Sequence, residues 1–202
     1  MADALIHHDA DPPFSVDELM RRYGPRRARM KPAFRQVLEQ MVAEARTLAE
    51  PRFAGKTFPA ADLPLFSRHL PGAEMITLGV CTLGPALEAR ASAFFPDDPL
   101  KGVILDQVGT AWVDGLLRRF HGRLRARARA RLDGWRAGPA YRPGLGRWPL
   151  ALQPEILGRL PADEMGITLT GAGMMIPQKS ISFIVPQGRR LKPGRFGGDD
   201  RT

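Results

Sequence analysis

The sequence predicts a mixed α/β domain, and three observations carry that expectation. Residues 74–82 place Met75, Ile76, Leu78 and Val80 in a strand-like run closed by Leu83-Gly84-Pro85. Residues 166–185 hold two further strand-like runs, 167–170 and 180–185, on either side of a Gly/Met turn. Between these regions, residues 99–131 repeat Leu100, Ile104, Val108, Trp112, Leu116, Phe120 and Leu124 at every fourth position. That spacing is the signature of a helix with one side in the core.

The remaining elements follow in chain order. Ser15-Val-Asp-Glu18 has the capping-box pattern, which predicts a short helix over 16–23, stopped by Gly24-Pro25. A second helix is expected from Pro32 to Ala49, with Phe34, Val37, Leu38, Met41, Val42 and Ala45 on one face and Pro51 ending it. Residues 52–58 read as extended, and 63–69 as a short helix or turn before Pro71-Gly72. Pro85 suits the first position of a helix reaching Phe95. Residues 134–153 are too rich in Gly, Pro and Trp to be regular, so an ordered loop held by Trp135, Tyr141 and Trp148 is expected, with a short helix over 154–159 after it. Loops of this kind commonly carry ligand contacts.

At 202 residues the chain is long enough for one domain with its own core. We expect residues 1–14 to be a flexible N-terminus, 15–187 a single domain and 188–202 a disordered basic tail, which has little to bury. The lone cysteine, Cys81, excludes an internal disulfide framework and fits a reducing compartment. No apolar run approaches bilayer-spanning length. The acidic, His-bearing start does not read as a secretory signal, so a cytoplasmic location is expected.

The net charge of +9 raises nucleic acid as a partner. The basic clusters lack interleaved aromatics, however, and no helix-turn-helix or finger spacing accompanies them. No nucleic-acid partner is therefore expected, and a basic surface facing an acidic protein is the better use of the charge. Arg123, Arg125, Arg127, Arg129 and Arg131 alternate with small or apolar residues. On a helix that spacing spreads charge around the axis, as at a solvated protruding end.

Most catalytic chemistries find no support. The histidines His7, His8, His69 and His121 have no ligand spacing, and no phosphate-binding glycine loop is present. Cys81, at the end of a strand, reads as an inert core residue. Asp106, Thr110 and Asp114 form a second stripe on the long helix, roughly opposite its apolar side, either solvated or holding a ligand ammonium. Met174-Met175, flanked by glycines, suits either turn packing or contact with a flat ligand.

Three segments then point to a family. They are Pro143-Gly144-x-Gly146-x-Trp148-Pro149-Leu150-x-x-Gln153, Gly166-Ile-Thr-Leu-Thr170, and Met174-Met175-x-Pro177-x-Lys179-Ser180-x-Ser182. Together they resemble the activation (reactivation) domain of cobalamin-dependent methionine synthase, especially its short stand-alone members. Thr82-Leu83-Gly84, Leu105-Asp106-x-x-Gly109 and Pro51-Arg52 add to the likeness, which spans residues 15–187.

The resemblance implies an α+β fold, a twisted antiparallel sheet with helices around it. It implies an accessory component of a split methionine synthase, acting with S-adenosylmethionine in reductive reactivation and remethylation of a corrinoid protein. Cobalamin would be carried by that partner protein, with flavodoxin or another acidic protein as electron donor. The implied ligand contacts are Asp114, Arg142, Pro143, Gly144, Gly146, Met174, Met175 and Lys179. Asp114 and Arg142 would take the amino-acid end, with Thr110 competing for the place of Asp114. The family's loop usually reads Arg-x-Ser/Ala-Pro-Gly-Tyr; here that register reads Ala140-Tyr141-Arg142-Pro143-Gly144-Leu145. The departure supports a second expectation, a non-enzymatic corrinoid-protein docking module that has lost S-adenosylmethionine binding.

Overall fold

The computed structural model describes residues 7–8, 11–22, 32–131, 133–146 and 148–192. In chain order the first elements are β1 (His7–His8), α1 (Val16–Arg22), α2 (Pro32–Leu48), β2 (Arg52–Pro59) and α3 (Pro64–Ser67). Next come β3 (Met75–Thr82), α4 (Ala86–Phe94), α5 (Pro99–Ala130) and β4 (Arg136–Ala137). The last are α6 (Gln153–Leu157), β5 (Thr168–Leu169), β6 (Met175–Ile176) and β7 (Ser180–Gly188).

Five strands form one antiparallel sheet in the order β1-β2-β3-β7-β4, while β5 and β6 pair separately. Helices α1, α2, α4 and α5 pack on one face of the main sheet, against Phe53, Cys81, Phe183 and Val185. On the other face, α3, α6 and the segment after α6 cover Phe58, Ile76, Leu78, Val80 and Ile184. Burial on both faces explains why β3 and β7 are buried along almost their whole length. The fold is thus the α+β arrangement expected from the sequence.

Local chemistry sets the helix starts. Ser15 N–H donates to Glu18 Oε2 at 2.7 Å, and Glu18 N–H donates back to Ser15 Oγ at 3.2 Å, the reciprocal bonds of a capping box. The backbone bond from Ser15 is the main force holding the Glu18 carboxyl below its ordinary range. At α5, Asp98 Oδ1 accepts from Lys101 N–H at 3.2 Å and Pro99 takes the first helical position.

The centre of the molecule is built around two strand glycines. Gly55 and Gly79 are cross-strand partners in β2 and β3. A Cβ at Gly55 would overlap the Phe120 ring, and one at Gly79 the Phe183 ring. Glycine inside a strand often marks such a close approach. Phe120, from α5, lies edge-on to Phe53 at 5.4 Å and to Phe183 at 5.2 Å, so the glycines make the space in which the helix meets the sheet.

Several expectations shift in detail. Leu100, counted with the apolar side of the long helix, is 52% exposed, because the first turn of α5 packs on α4 through the buried Gly102 instead. The run at 167–170 does not join the main sheet; Thr168 and Leu169 pair with Ile176 and Met175. The 134–153 segment, expected to be irregular throughout, contains the strand β4, which pairs with β7, and a 3-10 turn over Leu150–Leu152; as expected, Trp135 and Trp148 are buried and Tyr141 stacks on Trp148 at 4.7 Å. Burial pushes the Cys81 thiol up, which keeps it protonated and inert.

At the ends of the chain, His7–His8 pairs with β2 and Phe14 is buried. Residues 1–6 and 9–10 of the expected flexible N-terminus lie outside the described residues. The last strand continues to Gly188, and Lys192 N–H donates to the Pro71 carbonyl at 3.1 Å; residues 193–202 of the expected tail lie outside the described residues.

Two glycines of opposite consequence test this packing. Gly79→Ala is expected to destabilise by about 1–3 kcal/mol, since the added methyl must displace Phe183. Gly122→Ala, on α5 with open space at its Cβ, is expected to stabilise by about 1 kcal/mol through helix propensity. Urea denaturation of both variants checks the pair of signs.

Candidate functional site

A cleft of about 420 Å³ opens at the start of β7. Its lining comprises the loop Arg142, Pro143, Gly144 and Leu145, then Leu150, Gln153, Met174-Met175 and residues 178–182; Leu150 lies close to both Gly144 and Gly173. Of the eight sequence-predicted contacts, Arg142, Pro143, Gly144, Met174, Met175 and Lys179 line this cleft. Asp114 joins them through Arg142. Gly146 stands in the same loop, at a turn with φ +60°, and is not part of the lining.

Backbone bonds hold the Arg142 loop against the sheet. Tyr141 and Ile184 exchange N–H···O bonds of 2.9 and 2.8 Å, which attaches the loop to β7. Gly144, at φ +81°, reverses the chain so that its N–H reaches the Trp148 carbonyl at 2.8 Å. Alternation along the extended segment then sends Tyr141 onto Trp148 and Arg142 the other way. Arg142 Nη1 donates to Asp114 Oδ1 at 2.6 Å, with both side chains about one-third exposed. Ala140 packs against the helical core instead of lining the cleft.

The second cation is more enclosed. Lys179, 8% exposed, bonds to Asp106 Oδ1 at 2.6 Å and to Thr110 Oγ1 at 3.2 Å. Gly109 makes the approach possible: a Cβ there would meet Leu87 Cδ2 at 2.7 Å and Lys179 Cε at 3.3 Å. The entry to β7 is fixed on both sides. Glu88 Oε2 accepts from Gln178 N–H at 2.7 Å, and Leu83 N–H donates to the Lys179 carbonyl at 3.0 Å. The stripe Asp106, Thr110, Asp114 is therefore the uncovered strip of α5 beside the cleft, and it engages both cations.

Two buried polar atoms among the lining residues have no hydrogen-bond partner, Gln153 Oε1 and Ser182 Oγ. Neither residue was singled out as a contact from sequence, although both belong to the motif segments quoted above. Leu145 was likewise not counted, and Asp106, read from the acidic stripe as solvated or as holding a ligand ammonium, instead pairs with Lys179. Among the described residues, no group of three His, Cys, Asp or Glu side chains is placed to hold a metal. The chemistry on offer is recognition: an arginine and an aspartate side by side at an apolar cleft, the complement of a zwitterion attached to a flat group.

This chain shares the fold of the MetH reactivation domain. The crystal structure of that domain bound to AdoHcy matches it with a TM-score of 0.66, covering 91% of this chain and 78% of that one, at 15% sequence identity. No protein-family model matches the sequence, and no curated protein matches it either. The correspondence is thus one of architecture: mixed α and β elements with a curled antiparallel sheet and packed helices. No helix among the described residues is long and apolar enough to cross a membrane.

The Lys179–Asp106 pair has one costly half. Asp106→Ala leaves a nearly buried ammonium with Thr110 alone, and is expected to destabilise by about 1.5–3 kcal/mol, the worth of a hydrogen bond to a charged group. Lys179→Met keeps the apolar stem and leaves Asp106, 47% exposed, to water, at a cost below about 1 kcal/mol. Denaturation midpoints of the two variants measure the difference.

Proposed function

We propose that this chain binds S-adenosylmethionine in the Arg142 cleft. In this reading it serves as an accessory component of a split cobalamin-dependent methionine synthase, supporting reductive reactivation and remethylation of a corrinoid protein. One observation carries the ligand part: the Arg142–Asp114 pair at the mouth of a cleft, in a fold whose matched member holds AdoHcy. An α-amino-acid end brings its own carboxylate and ammonium. Arg142 would take the carboxylate and Asp114 the ammonium, so each charge exchanges one partner for another of like sign. Met174, Met175, Leu145 and Leu150 offer the apolar surface that an adenosine needs, and Lys179 stays with Asp106 and Thr110.

The position of Arg142 supports this reading despite the departure noted in the sequence. Ala140 cannot bind a carboxylate, but Arg142, two residues on, faces the cleft. Leu145, in the position of the family's tyrosine, is 51% exposed at the rim and keeps an apolar surface without the ring. The methyl transfer itself would be supplied by the ligand and by the partner's cobalamin; this chain's residues bind, orient and cover. The net charge of +9 suits encounter with an acidic corrinoid protein or an acidic electron donor such as flavodoxin.

A second reading is favoured by a separate observation. Leu145 and Met174 are exposed at the cleft, Ile176 is exposed next to Met175, and Phe95, just after α4, is exposed together with Leu100 and Val103 of α5. That surface fits a docking module for a corrinoid protein that has lost small-molecule binding.

Calorimetry separates the two. The first reading expects heat of binding with AdoHcy or S-adenosylmethionine, weakened about tenfold or more by Arg142→Ala and by Asp114→Ala, as for loss of a charge-assisted bond. An absence of heat at millimolar ligand sinks it. Capture of the corrinoid protein by the same chain without ligand then leaves the docking reading standing, and no complex in any cobalt oxidation state removes that as well.

A further inference from the structure

A second concave site lies at the far end of α5, about 16–22 Å along the helix axis from Asp114 at the usual rise per residue. Its volume is about 490 Å³, and Arg125, Arg129, Arg131, Trp135 and Arg136 line it. Arg125 and Arg129 stand one turn apart on the same side of the helix. Arg136 arrives from β4, after the chain reverses at Gly134 with φ +79°.

Two neighbouring guanidinium groups are already committed. Arg131 lies over the Trp135 ring at 4.1 Å and bonds to Asp133 at 3.3 Å. Arg189 lies over the same ring at 5.8 Å and reaches Asp133 at 3.2 Å. Desolvation works to raise the Asp133 pKa, but the hydrogen bonds from Arg189 and Arg131 outweigh it and hold the carboxyl below its ordinary range. Asp133 therefore stays charged and anchors that wall. Arg125, Arg129 and Arg136 have no carboxylate partner among the described residues.

We propose that Arg125, Arg129 and Arg136 form a binding site for a small ligand carrying a diphosphate or triphosphate group. Three cations without a carboxylate partner among the described residues line one hollow, and each guanidinium fork matches two phosphate oxygens. Stacking on Trp135 immobilises the adjoining wall before any ligand arrives, which lowers the ordering cost of binding. The nearby end of α5 carries only about half a negative charge, too little to offset three full positive ones.

The same surface argues against two larger anions. A protein interface needs apolar anchors. Among the described residues the exposed large hydrophobics are Phe95, Leu100, Val103, Leu145, Met174 and Ile176, none of them at this end of α5. A nucleic-acid backbone needs a continuous basic track. Arg127 is exposed on another side of the helix, and Arg119 turns away toward the Asp11 carbonyl at 3.3 Å. A compact polyanion fits what is left.

The test is calorimetric titration of the full chain with inorganic triphosphate, pyrophosphate and monophosphate at fixed salt. Poly-glutamate and duplex DNA form the comparison arms. The proposal expects triphosphate to bind tightest and monophosphate at least tenfold more weakly. It expects the Arg125→Ala/Arg129→Ala double variant to lose tenfold or more, with Arg127→Ala unchanged. Arg136→Ala, on the strand side, gives an independent loss should the helix variant not fold. Equal triphosphate affinity in parent and folded Arg variants overturns the site. So does tighter binding of poly-glutamate or DNA than of triphosphate.

Discussion

The close approach of α5 to the sheet at Gly55 and Gly79 is the constraint on which the rest of the molecule depends. Any side chain at those two paired positions would occupy the space of Phe120 or Phe183. The helix is seated there in one rotational setting, and Gly109 and Gly115 extend the same logic to Leu87 and Pro13, which pack where a Cβ would otherwise stand. A rotation by one residue, about 100°, would bury Asp114 and carry the acidic stripe away from Lys179 and Arg142. The polar site is therefore set by apolar packing on the other sides of the same helix.

The cleft is lined largely by loop residues, but those loops are anchored, and this governs what binding there would cost. Lys179 is fixed between α5 and the start of β7, and Gln178 is fixed by Glu88 of α4. The Arg142 loop is irregular, yet the Tyr141–Ile184 bridge and the stacked Tyr141–Trp148 rings attach it to the sheet. Arg142 and Asp114 already face each other, so a zwitterion would meet aligned partners. Its gain is limited by the ion pair it must open, which is about one-third exposed and so modest in strength.

The sequence made the long periodic elements legible because their burial repeats along the chain. The helix α5, the strands β3 and β7 and the capping box at Ser15 each carry a local pattern. The two-residue strands β1, β4 and β6 carry none, since they exist only through their partners: His7 opposite Phe53, Ala137 opposite Gln187, Met175 opposite Leu169. The site was legible to the same degree. The period of Asp106, Thr110 and Asp114 and the loop residues around Arg142 could be read directly. That Lys179 would pair with Asp106 could not, because it depends on where Gly109 lets the two chains meet.

Charge on this molecule is better understood by its arrangement than by its sum. The arginines after position 120 alternate along the sequence, which on a helix divides them among several environments. Arg123 lies over the Phe53 ring at 5.3 Å, Arg131 stacks on Trp135, and Arg125 and Arg129 face a hollow with Arg136. One helix thus carries acidic groups beside an apolar-rimmed cleft at its middle and, at its end, arginines such as Arg125 and Arg129 with no carboxylate partner among the described residues. Exposed charges separated by more than about 8–10 Å are largely screened from each other at physiological salt. The two regions therefore act as separate electrostatic surfaces, and the excess positive charge places no direct constraint on what the cleft can hold.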